Sequence, residues 1–461
     1  MKQHIADTFA SLRGRISSME RWKINLYTIW FSQILSLMSF NFGIPFIPYY
    51  ITELGVEDPA QVKFYVGLIA TSSSIASAVM APIWGMAADK WGKKLMLLRA
   101  MMAGCIVIAG MGIATHVYHI VALRIAQGIF TGTIAAATLI IASTTPTDKL
   151  SYALGFLSSS TFIGQSAGPV IGGILADYAG YRVSFLLGSL LMLIDFFLVL
   201  FLAKEVNDEE VNAGNAMIAK SDKSEASSAK ENKIEDIASA EQDNSSKLNT
   251  KKLRFNKKSF RNMKISFIFS ASMLAMLFIL FIIRSTRALF NPYISLFVQE
   301  VRSTKEGASR ITGLINGFTG IMTALSGMTL SRLGDKYSKT KVLTSLFIVS
   351  IILSVPLALS KNLLIFTLCY GIFYYIMGGI EPITISVTTE NTPVDRRGLL
   401  FGIQGFIGNM GMALAPMIGS MISIRFSIHA ILYMIPITLI PGFLMVFIIS
   451  RKSKNTAMEE A

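Results

Sequence analysis

Five ionisable side chains stand inside long apolar stretches of this sequence: Arg124, Asp195, Arg284, Arg287 and Glu381. A charge in hydrocarbon is expensive on every insertion scale, so each needs a partner, water or a task. Glu381 lies in GGIEPITIS, where Gly378, Gly379 and Pro382 weaken a helix. A carboxyl desolvated in an apolar cavity can exchange protons near neutral pH. Glu381 is thus a candidate proton- or cation-binding carboxylate, and equally a candidate structural partner of an arginine. Arg284 and Arg287 fall one helical turn apart and can share a face. They suit a pair with Glu381, or an anionic group of a small molecule. Asp195 is a weaker proton-transfer candidate, because its part of the stretch can lie at the periphery. Phe40, Phe46, Tyr49, Phe290, Tyr293, Tyr370, Tyr374 and Tyr375, with Asn41, offer apolar walls and a polar anchor for a ligand cavity. Aromatics in such stretches also pack against lipid or core.

Other chemistry is poorly supplied. The two cysteines, Cys105 and Cys369, both fall in apolar stretches and imply no disulfide framework. His116 and His119 share a short loop without further ligands, so no metal and no cofactor is expected. A phosphate-binding loop needs G-x-x-x-x-G-K-[ST]. Six residues separate Gly85 from Gly92, and Lys94 stands where Ser or Thr is required. No nucleophile–base cluster points to an enzyme.

The elements that must carry these residues are membrane helices. Only 15% of the 461 residues are charged, and 52% are hydrophobic; the mean hydropathy is +0.55. About 20 apolar residues cross the hydrocarbon core as a helix. Twelve such spans are predicted, at 24–51, 63–86, 95–115, 118–144, 152–176, 182–203, 266–299, 308–331, 341–359, 363–390, 397–423 and 427–450. The formal charge of +14 is a topology signal rather than a sign of nucleic acid. Most Lys and Arg fall in 1–23, 87–94, 145–151, 204–265, 332–340, 391–396 and 451–461, all on one side; Lys63, Arg302, Lys305, Lys361 and Arg425 are the clearest on the other. Basic loops mark the cytoplasmic face. The expectation is a multi-pass protein of the cell membrane with both termini cytoplasmic.

The predicted organisation is a cytoplasmic N-terminal segment 1–23, a six-helix bundle 24–203, a linker 204–265, a second six-helix bundle 266–450 and a cytoplasmic tail 451–461. The linker is polar and charged, which predicts disorder. Its end, Lys247 to Lys264, has eight basic and no acidic residues. Such a run anchors topology or binds anionic lipid headgroups. The halves repeat each other at a near-constant offset. FIPYYI from Phe46 matches FNPYIS from Phe290, and YVGLIA from Tyr65 matches ITGLIN from Ile311. Asp89-Lys90 matches Asp335-Lys336, TPTD ending at Asp148 matches TPVD ending at Asp395, and GPVIGG from Gly168 matches APMIGS from Ala415. Five matches in order indicate a duplication. Parallel repeats of six spans are a transporter architecture, with the substrate site between the halves.

Three motifs sharpen that reading. GMAADKWGKK, Gly85 to Lys94, offers Gly85 for close helix packing, Asp89 as an acceptor at the membrane edge and Gly92 for a tight turn, with Lys90, Lys93 and Lys94 at headgroup level. It resembles the signature of the major facilitator superfamily between spans two and three. The second copy keeps Asp335 and Lys336 but has Ser338 in place of the glycine. LRIAQG, Leu123 to Gly128, resembles that superfamily's R-x-x-Q-G motif, which implies a link between Arg124 and proton coupling. The alternative is an arginine snorkelling from near the helix end. GQSAGPVIGG, Gly164 to Gly173, puts Gly164, Gly168 and Gly172 four apart on one face, with Pro169 in mid-helix and Gly173 beside. It resembles the antiporter motif of drug:proton exchangers, although the spacing alone shows close packing only.

The resemblance covers both halves and is nearest to twelve-span bacterial multidrug transporters. It implies an all-α membrane protein that exports small amphipathic compounds in exchange for protons by alternating access, as a monomer. Proton coupling would fall to Arg124, Glu381 and Asp195, and the cavity to Asn41, Phe46, Tyr49, Arg284, Arg287, Tyr293 and Tyr374. The first span lacks the acid that many such exporters carry, and Asn41 is its polar residue. The alternatives are an importer or facilitator of a small anionic or sugar-like metabolite, a lipid or glycolipid flippase, and a scaffold using the linker.

Overall fold

The computed structural model describes residues 21–146, 149–203, 271–304, 306–390, 392 and 397–459. The linker prediction, with the segment before residue 21, lies outside them. The described residues form helices and turns. The first half comprises α1 (Arg21–Asn41), α2 (Ile47–Glu53), α3 (Pro59–Trp91), α4 (Lys93–Gly112), α5 (Val117–Phe130), α6 (Thr133–Thr144), α7 (Leu150–Ala179) and α8 (Tyr181–Leu202). The second comprises α9 (Ala271–Phe290), α10 (Ile294–Arg302), α11 (Ala308–Lys336), α12 (Lys339–Leu359), α13 (Leu363–Glu390), α14 (Arg397–Arg425) and α15 (Ile428–Glu459).

Three predicted spans are broken helices, and in each the sequence supplies the reason. The first stops at Asn41, passes through a 3₁₀ turn at Ile44–Phe46 and restarts as α2; Pro45 and Pro48 lack the N–H a continuous helix needs. The seventh does the same at Asn291–Tyr293, around Pro292. The repeated FIPYYI and FNPYIS segments are therefore the same bend made twice. The fourth span breaks between α5 and α6 at Gly132, whose φ of 132° disfavours any side chain. The last helix continues to Glu459, past the predicted end of the span at 450.

Ten helical segments are long and apolar enough to cross a membrane by length and composition. The other two long ones, α7 and α11, are rich in Ser, Thr and Gly. They pack on each other at the centre, so that composition reflects position. Inside the first half α1 lies against α7 and α8, α4 against α8, and α3 against α5. Inside the second, α13 packs on α11 and α12, and α12 on α15. The halves meet along two helix pairs, α7 with α11 and α3 with α14. Duplication relates these pairs. Pro169 of GPVIGG has its backbone against Gly313 of ITGLIN, and Pro416 of APMIGS presents its carbonyl 3.0 Å from where a Cβ on Gly67 of YVGLIA would sit. The repeated motifs are the seam itself, where small residues let backbones approach.

Candidate substrate cavity

A cavity of about 820 Å³ lies between the halves. Its wall from the first half includes Asn41, Arg124, Thr161, Phe162, Gln165 and Pro169. The second half contributes Arg284, Arg287, Asn316, Thr319, Tyr374 and Glu381. Asn41 binds its own helix through Nδ2 to the Leu37 carbonyl at 2.7 Å. Arg124 Nη1 donates to Gln127 Oε1 at 2.6 Å, while its Nε has no partner among the described residues. Arg284 and Arg287 clamp Glu381 from one face of α9. Arg284 donates through Nε at 3.0 Å to Oε1 and brings Nη2 to 2.9 Å of it; Arg287 Nη1 lies 3.0 Å from Oε2. The Tyr374 hydroxyl donates to the Arg287 carbonyl at 3.3 Å and holds that turn of α9.

Phe46, Tyr49 and Tyr293, expected in the cavity, do not line it. The proline bends carry them beyond it, into the seal at the end of the halves remote from the 203–271 connection. Phe46 is fully buried there, against Gly173. The Tyr49 hydroxyl donates to the Ser295 carbonyl and sits 3.4 Å from Thr312 Oγ1. Tyr293 donates to the Pro416 carbonyl at 2.7 Å. Further bonds join the halves at this end. Lys63 Nζ reaches the Ser423 carbonyl and Ser420 Oγ the Lys63 carbonyl, both at 3.0 Å. The Arg310 N–H donates to Asp177 Oδ2 at 3.0 Å.

The opposite end is parted. A side chain added at Gly85 of α3, Gly155 of α7 or Gly405 of α14 would meet nothing within 4 Å among the described residues. This corrects the expectation for Gly85, which has no close neighbour among the described residues. Gly92 joins α3 to α4 at φ 96°. Lys94 Nζ donates to the Leu200 carbonyl at 2.9 Å, and Lys90 and Lys336 approach Trp91 and Tyr337 at 5.9 and 5.7 Å. Lys93 opens α4. The side chains of Asp89 and Asp335 are not among those the structure describes.

Residues 29–380 and 276–460 match the model described as Major Facilitator Superfamily. The chain belongs to that superfamily. It is a multi-pass membrane transporter for small molecules, not an enzyme, and its twelve spans are the superfamily's two six-helix repeats. A protein of Lactococcus lactis named as a multi-drug resistance efflux pump PmrA homolog is 29% identical over 95% of this chain and 98% of its own length. The Proteus mirabilis multidrug resistance protein MdtG is 26% identical over 89% of this chain and 92% of its own. Among solved structures, a bacterial homolog of the lysosomal transporter Spinster, inward-facing and occupied, superposes with TM-score 0.68 at 13% identity, covering 94% of this chain and 98% of that one. Human MFSD10, titled an organic anion transporter, gives 0.61 at 12% identity over 93% and 100%. At such identity these two speak for the fold alone.

Within the superfamily frame, the glycines of the antiporter-like segment divide between two neighbours. Gly164 and Gly168 face α1, where a Cβ would stand 2.7 Å from those of Leu37 and Asn41; Gly172 meets the Phe42 backbone. Gly173 turns the other way, to the Ser309 carbonyl of α11. The seam on the α11 side is Gly313, Gly317 and Gly320, which the sequence reading missed. Their 3–4 spacing is the available signal. Thr161, Gln165, Asn316 and Thr319 were also missed, though they repeat at helical spacing on the two most polar spans. Arg99 was missed too: its guanidinium lies 3.3 Å from the centre of the Trp84 ring, and Trp84 Nε1 donates to the Ile129 carbonyl.

Asp195 does not lie at the periphery. It is fully buried between α8 and α1, apart from the cavity, with Ser36 Oγ donating to Oδ2 at 2.6 Å and Oδ1 unpartnered among the described residues. Ser32 stands beside it. These serines belong to a polar stripe on α1, Asn25, Thr28, Ser32, Ser36 and Ser39, all buried and spaced at a helical repeat.

Proposed function

We propose that the chain is a proton-coupled efflux transporter of small amphipathic compounds, working by alternating access. The observation that carries this reading is the contrast between the two ends of the shared cavity. One end is closed by tyrosines, packed glycines and bonds between the halves. The other is parted at the glycines of three seam helices. Rocking about α7–α11 and α3–α14 would exchange these two conditions. The basic loops support a cytoplasmic position for the parted end and for both termini, in the cell membrane. The relatives named as multidrug efflux pumps match over nearly the whole chain, which supports export. One chain holds both halves, so a monomer suffices.

Coupling falls to Asp195. Glu381 is matched by two guanidiniums, whereas no cation contacts Asp195 among the described residues. A buried carboxylate without a cation is strongly disfavoured, and a proton relieves it. On α4, which packs against α8, Cys105 contacts Ser189, Lys94 reaches Leu200 and Arg99 stacks on Trp84. The stripe on α1 offers hydroxyls along which a proton can pass. The test uses inverted membrane vesicles energised by respiration, with release of protons read as an amphipathic drug is added. Drug-dependent proton release from the wild type, lost in Asp195→Asn, supports the reading. Equal release in both removes Asp195 from coupling, and none in either removes proton exchange.

A further inference from the structure

We infer that the cargo carries a negatively charged group, a carboxylate or an oxyanion of phosphorus or sulfur, which is bound by the arginine excess of the cavity. This deepens the efflux reading and rests on it.

The argument is one of charge count and unmet donors. Arg124, Arg284 and Arg287 all line the cavity, and Glu381 is the one carboxylate among its described lining residues. Glu381 offsets a single positive charge, leaving a net of two. Arg124 has a glutamine for company and no carboxylate partner among the described residues. Its Nε is unpartnered among the described residues, and so are Nε and Nη2 of Arg287, although each of these atoms is buried. Buried donors of this kind are ordinarily satisfied. Guanidiniums stay charged and present paired donors that fit carboxylate and phosphate oxygens. A low-dielectric wall strengthens the field of the excess charge, so the cavity attracts anions and repels lipophilic cations.

The arginines stand on opposite halves, Arg124 on α5 and Arg287 on α9. An anion between them would screen their repulsion and draw the walls together, which couples cargo binding to closure of the parted end. Phe162 and Tyr374 supply the apolar surface that an amphipathic anion needs beside its charge.

The test is transport by the full-length protein in inverted vesicles, with a carboxylated fluorescein as anionic probe and ethidium as cationic probe. The expected result is saturable uptake of the anionic dye with little of the cation. In Arg124→Gln the apparent KM for the anionic dye should rise roughly tenfold or more, the worth of one charge-assisted bond. Arg124→Lys should recover part of it. Transport of ethidium but not the anionic dye would overturn the inference while leaving efflux intact. An Arg124→Gln protein that moves the anionic dye with unchanged KM would overturn it as well. Transport of neither dye, with protein correctly inserted, would overturn this inference and the efflux reading together.

Discussion

Glu381 and Asp195 are both carboxylates in membrane helices, and their surroundings differ. Glu381 is gripped by Arg284 and Arg287 at 2.9–3.0 Å. Removing its charge strands two guanidiniums, and breaking such a pair is costlier than replacing it whole. Glu381→Gln should therefore lower the thermal midpoint of the purified protein by several degrees, and the triple change with Arg284→Gln and Arg287→Gln should regain part of that loss; an unshifted midpoint in the single variant would count against a structural clamp. Asp195→Asn, by contrast, keeps the bond to Ser36 in an uncharged site. It should leave the midpoint nearly unchanged while uncoupling transport from protons. Read from the sequence alone, Asp195 ranks below Glu381 as a proton-transfer candidate, because the partners on which a ranking rests are not visible there. Arg284 is 97 residues away from Glu381, and Ser36 is 159 from Asp195.

The helices tell a similar story about legibility. Twelve spans and the duplication were readable, since hydropathy and repeated motifs are local signals. The bends at Pro45 and Pro292 were present in the sequence as prolines but were absorbed into longer spans. That omission moved Phe46, Tyr49 and Tyr293 from seal to cavity. The seam glycines of α11 were overlooked for a related reason: one helix's spacing says that something approaches, not what. They make a clear prediction. Gly313 has the Pro169 backbone where a side chain would go, so Gly313→Leu should wedge the seam apart at the closed end. The variant should reduce transport at least roughly tenfold, with insertion retained. Gly405→Leu faces open space in this conformation. It should leave the structure described here intact and impair transport by blocking closure of the parted end. Thiol accessibility at cysteines placed in the seam distinguishes them, since the first variant should open the sealed end and the second should hold it shut.

Across the whole molecule, one duplicated bundle builds both walls of a cavity and both pairs of helices at the seam. Gly67 against Pro416 and Gly313 against Pro169 are the same contact written twice. Alternating access, as proposed, would open this seam at one end while the other end closes. The most direct test is to fix the sealed end. With Cys105 and Cys369 replaced by serine, Lys63→Cys and Ser423→Cys can be bridged by a short bifunctional thiol reagent, since Lys63 Nζ reaches the Ser423 carbonyl at 3.0 Å. Alternating access predicts efficient bridging, complete loss of drug efflux and full recovery once a cleavable bridge is cut. Undiminished efflux by quantitatively bridged protein would contradict it.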